Sequence, residues 1–94
     1  YQAAGHAFIL SQIFDFGMSP QEALDLPRIF PNNGIIDVEN GFDKNILKDL
    51  KNKGHEINHQ VFPIGGGQMI YVDRKKKVLI GASDWRKDGL ALGV

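Results

Sequence analysis

Apolar positions along the chain recur with two periods. In HAFILSQIFDF (residues 6–16), Ile9, Ile13 and Phe16 share one helical stripe and Leu10 and Phe14 flank it, which predicts a helix apolar almost all round and therefore buried. Gly17 is its stop, since glycine alone enters the left-handed conformation without a Cβ penalty. A second helix is predicted next: Ser19 caps it, Pro20 takes its first position, Glu22 completes a capping box, and it ends near Leu26, before Pro27. A third follows, with Asp43 as N-cap, Phe42 stapled onto Leu47, and Ile46, Leu47 and Leu50 as its buried stripe. Lys44, Lys48 and Lys51 line the wet side and Gly54 ends it.

The remaining apolar runs are short and strand-like. PNNG (residues 31–34) marks a turn, and Ile35, Ile36 and Val38 predict a strand. HEINHQVFPI (residues 55–64) reads as extended, and Gly65 to Gly67 interrupt the chain. QMIYVD and VLIGAS then form the two arms of a hairpin about Arg74 to Lys77. The fold class is α/β (α+β), with about three helices and a hairpin-containing sheet; no linker or repeat divides residues 1–94.

The 94 residues are 43% hydrophobic and 23% charged, ordinary for a globular domain. Eleven basic residues balance eleven acidic ones, so no bulk field draws the chain to nucleic acid or an anionic membrane. Without cysteine there is no disulfide, thiol nucleophile or Cys-type zinc site. No apolar run reaches the roughly 18 residues of a membrane span, and no signal-peptide layout opens the chain.

Four features invite a chemical reading. His55-Glu56-Ile57-Asn58-His59 spells H-E-x-x-H, a zinc motif only when a helix sets both imidazoles on one face. Here it follows a helix-ending glycine, carries β-branched Ile57 and Val61, and stops at Pro63, so a partly exposed strand is expected and no metal. Gly65 to Gly67 lack the G-K-[ST] of a phosphate loop and lead into a strand. Arg74 to Lys77 fall at a hairpin tip without interleaved aromatics, which fits a solvated turn better than a nucleic-acid patch. Arg28 after Pro27, and Asp84, Arg86 and Asp88 beside Gly89, are expected to brace loops through charge-assisted hydrogen bonds. Trp85 is expected to anchor strand and tail, and Ser83 ends the last strand with no histidine near it in sequence. No catalytic residue is assigned within the chain.

The succession FDFGMSPQEALDLPRIFP, VENGFDKNILKDLKNKGHEI and GGGQMIYVDRKKKVLIGASDWRKDGLALGV resembles, in order and spacing, the C-terminal end of the small subunit of γ-glutamyltranspeptidases. The resemblance covers essentially the whole chain. It implies an N-terminal-nucleophile hydrolase built as an αββα sandwich, made as a precursor that cleaves itself. The freed threonine attacks a γ-glutamyl amide with its own α-amine as base, and no metal or organic cofactor is required. The threonine, the substrate-carboxylate ligands and the oxyanion glycines correspond to segments upstream of Tyr1, so the expected partners are the large subunit and the remainder of the small one. The motif residues that match are Pro27, Arg28, Ser83, Asp84, Arg86, Asp88 and Gly89. Trp85 stands where many relatives carry proline, which keeps γ-glutamyl peptides, polyglutamate and acyl-antibiotics open as substrates. Family members are often periplasmic or extracellular. The competing reading is a free-standing, non-catalytic α/β interaction module.

Overall fold

The computed structural model describes residues 2–93. They form three helices and five strands in the order α1 (Gln2–Phe14), α2 (Pro20–Asp25), β1 (Ile29–Asn32), β2 (Ile35–Val38), α3 (Lys44–Asn52), β3 (Glu56–His59), β4 (Gln68–Asp73) and β5 (Val78–Ser83). The chain divides into two compact units: one comprises the residues through Leu26 with those from Gly65 onward, the other Pro27–Ile64.

In the first unit, α1 begins four residues earlier than its apolar stripe predicts. It closes where glycine allows: Gly17 has φ 71° and the Met18 amide reaches back to the Gln12 carbonyl at 3.0 Å. The expected burial of α1 is not found, for only Gly5 is buried and Phe14 and Phe16 stay 66% and 71% exposed. The stripe is apolar, but among the described residues its main neighbour is α2, a turn and a half long, with the Phe14 ring also 6.3 Å from that of Tyr71 in β4.

α2 forms as its capping box dictates: Ser19 Oγ accepts the Glu22 amide at 3.2 Å and Glu22 Oε1 accepts the Ser19 amide at 3.1 Å. Its Ala23 and Leu24 are buried together with Ala82 of β5. β4 and β5 pair antiparallel from Gln68 opposite Ser83 to Asp73 opposite Val78. One face of this ribbon, bearing Met69, Tyr71 and Ala82, turns toward α2. The other carries Ile70, Val72 and Leu79, each more than half exposed. At the tip, Asp73 Oδ1 accepts the Lys75 and Lys76 amides, so the basic run is a capped, solvated turn.

In the second unit, PNNG is the turn of a hairpin whose first arm, β1, the apolar pattern did not announce. Ile29 faces Val38 and Asn32 faces Ile35, leaving Asn33 (φ 52°) and Gly34 (φ 82°) as a two-residue loop. Two positive φ values in succession are the type I′ turn whose twist matches paired strands. β3 then joins β2 in parallel, with α3 as the crossover. Val38 is the one buried apolar side chain of this unit among the described residues.

Candidate functional site

The most buried polar groups are two arginine–carboxylate sets, one in each unit. In the first, β5 ends at Ser83 and the chain turns through Asp84 to Arg86, whose side chains are both fully buried. Asp84 Oδ1 accepts the Arg86 amide and Nη1 at 3.0 Å each, while Oδ2 accepts the Gly67 amide at 2.9 Å. Arg86 Nη1 also donates to the Leu24 carbonyl and Nη2 to the Leu26 carbonyl, both at 2.7 Å. These carbonyls lie at the C-terminal end of α2, where a cation also meets the negative end of the helix dipole. One guanidinium thus ties the closing turn to α2, and one carboxylate ties it to the strand entry before β4.

The second set is built on the Arg28–Glu39 pair. Glu39 Oε1 accepts the Arg28 amide at 2.8 Å, Oε2 accepts the Ile64 amide at 2.7 Å, and Arg28 Nη1 donates to the Ile64 carbonyl at 2.9 Å. Arg28 and Glu39 are 2% and 5% exposed. Charges this deep persist because hydrogen bonds replace their hydration. Nearby, Asp37 accepts from Asn58 Nδ2 at 2.9 Å and Asn32 Nδ2 at 3.4 Å. Hydrogen bonds from Asn58 first, then Gln60 and Asn32, hold its carboxyl below the usual range against the opposing effect of burial.

The other matched motif positions divide. Pro27 lies half-buried beside Gly41, where a Cβ would come within 3.6 Å of its ring. Ser83 joins α2 through its backbone, since Gln21 Oε1 accepts its amide at 3.0 Å and Gln21 Nε2 donates to its carbonyl at 2.9 Å. Gly89 crosses the start of the ribbon so closely that a Cβ would stand 2.8 Å from both Ser83 Oγ and Gln68 Nε2. Asp88 is exposed and has no hydrogen bond or ion pair among the described residues, so it stands outside the network around Asp84 and Arg86. Trp85 is 61% exposed, with the Arg86 guanidinium 4.6 Å from its ring centre, and does not pack as the expected anchor. Glu39 and Gln21 escaped the sequence reading. Glu39 follows a strand in which Asp37 and Val38 are both buried, whereas nothing local distinguishes Gln21 from other exposed helix amides.

No reaction centre assembles among these residues. Ser11 Oγ donates to the Phe8 carbonyl at 2.8 Å, Ser19 is occupied as a cap, and the buried Ser83 Oγ has no hydrogen-bond partner among the described residues. His55 precedes β3 and His59 ends it, so the H-E-x-x-H letters lack the helix that gives the motif its geometry. No group of three or more His, Cys, Asp or Glu converges among the described residues.

A family model described as "Gamma-glutamyltranspeptidase" matches residues 1–94. The glutathione hydrolase proenzyme of Bacillus subtilis (strain 168) is 29% identical over 98 residues, covering 96% of this chain but 17% of that protein. The cephalosporin acylase of Bacillus halodurans, a solved structure, is 36% identical with a TM-score of 0.85, over 92% of this chain and 17% of its own. A γ-glutamyltranspeptidase structure from Pseudomonas nitroreducens, complexed with L-DON, superposes with a TM-score of 0.86 at 23% identity, over 98% of this chain and 49% of that one. The chain therefore spans about one sixth of the curated relative and about half of the Pseudomonas chain.

Proposed function

The chain belongs to the γ-glutamyltranspeptidase family, and on that premise we propose that it is the C-terminal segment of the small subunit of an enzyme that transfers or hydrolyses γ-glutamyl groups. Its part is to scaffold a site whose threonine nucleophile lies upstream, and its partners are the large subunit and the remainder of the small one.

The observation that carries this reading is the open face of the β4–β5 ribbon. Ile70, Val72 and Leu79 stand 69%, 52% and 69% exposed, while the buried apolar core among the described residues is Ala23, Leu24, Val38 and Ala82. An exposed apolar sheet face on so small a core calls for a covering layer, and in an αββα sandwich a second sheet is that layer.

The relatives named above include a glutathione hydrolase proenzyme and a cephalosporin acylase, so this segment is compatible with more than one donor class. γ-Glutamyl amides are the donors proposed, in keeping with the family. The decisive experiment is a γ-glutamyl hydrolysis and transfer assay on three samples: this chain alone, the upstream part of the precursor alone, and the two produced together. Activity confined to the combined sample is expected. Turnover by this chain alone would overturn the assignment.

A further inference from the structure

Residues 27–64 form their own compact unit, and its two ends meet on one carboxylate. Glu39 Oε1 takes the amide of Arg28, the second residue of the unit, and Oε2 takes the amide of Ile64, its last. Around this point the Glu39 amide donates to the Arg28 carbonyl at 3.0 Å, and Arg28 Nη1 returns to the Ile64 carbonyl at 2.9 Å across 36 positions of sequence. The Gln60 amide on the Val38 carbonyl, at 2.8 Å, continues the β2–β3 pairing toward the same place. Apolar burial gives this unit little else: Val38 is its one fully buried apolar side chain among the described residues, and α3 buries none.

We propose that Glu39 is a latch that closes residues 27–64 on themselves, so that this segment opens by releasing its two ends. Bonds from backbone amides to an ionised carboxylate in a dry surrounding are stronger than ordinary ones. Bringing the two ends together costs chain entropy that grows only slowly with the length of the loop, so a few strong bonds at its mouth can offset it. With so small a core, the mouth is where the unit's stability concentrates, so its release opens the unit as a whole.

Amide hydrogen exchange on the full protein tests this, with Glu39→Gln as the isosteric variant. The carboxamide keeps one acceptor and turns a donor toward the other amide. Exchange at Arg28 and Ile64 is expected to accelerate about tenfold or more, together with β2 and β3. Asp37→Asn, which alters polar contacts inside the sheet and not at its ends, is expected to accelerate those two amides much less than Glu39→Gln does. Unaltered exchange in Glu39→Gln, or equal acceleration in both variants, overturns the latch. Should Glu39→Gln fail to fold, the unaltered protein still decides: the Arg28 and Ile64 amides must be as protected as those of β2 and β3, and markedly faster exchange at either end refutes the proposal.

Discussion

Asp84 and Arg86 lie two residues apart and bond to each other at 3.0 Å, yet most of what they hold is distant in sequence: the Leu24 and Leu26 carbonyls on one side, the Gly67 amide on the other. The pair is a junction for three chain segments rather than an isolated ion pair.

Arg86→Ala is therefore expected to destabilise the protein by about 3–5 kcal/mol, because it leaves the Asp84 carboxylate buried and short of its main donor. Arg86→Lys should recover less than half of this, since a point charge cannot reach both α2 carbonyls and the carboxylate at once. Urea unfolding of the three proteins measures both; an unshifted midpoint for Arg86→Ala would refute the junction.

Acid sensitivity follows from Asp37 and Glu22. Hydrogen bonds from Asn58, then Gln60 and Asn32, lower the carboxyl of Asp37; the Ser19 amide, then the Ser19 hydroxyl, lower that of Glu22. A folded-state value below the unfolded one means stability that is fully present above the unfolded value and is lost as pH falls through the folded one. Stability should thus decline below about pH 4, near the ordinary carboxylate range. Asp37→Asn should flatten that decline. Thermal melts across acidic pH would contradict the assignment if the two proteins kept parallel slopes.

Gly34 at φ 82° follows Asn33 at φ 52° in the β1–β2 turn. Gly34→Val forces a β-branched side chain into left-handed backbone and should cost about 1–2 kcal/mol, although nothing lies within 4 Å to clash with it. Asn33→Gly should be close to neutral, because glycine tolerates the same φ. Equal losses from both substitutions would show that something other than backbone conformation governs the turn.

Leu79 separates the segment's own folding from its assembly. Leu79→Glu places a charge on a side chain already 69% exposed, so the segment alone should change by no more than about 0.5 kcal/mol. Produced with its upstream partner, the same variant should yield far less assembled, processed enzyme. Normal assembly would mean that the open ribbon face is not the covered one.

Local signals made much of this legible. The Ser19–Glu22 capping box, the Asn33-Gly34 turn and the glycine stops at Gly17 and Gly54 each act over a few residues, and each is found in place. The residues around H-E-x-x-H likewise favour a strand, and Glu56–His59 is one. The burial of α1 is not legible in its pattern, since an apolar stripe states what a helix needs covered and not what lies against it. β1 leaves no such signal, because its two apolar residues, Ile29 and Phe30, are followed by proline and have no period of their own.

By itself the sequence determined the helices, the turns and the family, because capping, left-handed glycine and motif order are properties of neighbouring residues. Only the tertiary structure decided that β3 lies parallel to β2, that Arg86 reaches back to α2, and that Glu39 joins Arg28 to Ile64. Those partners lie up to 62 positions apart, and a buried charge selects whichever backbone donors and acceptors the fold delivers within about 3 Å of it.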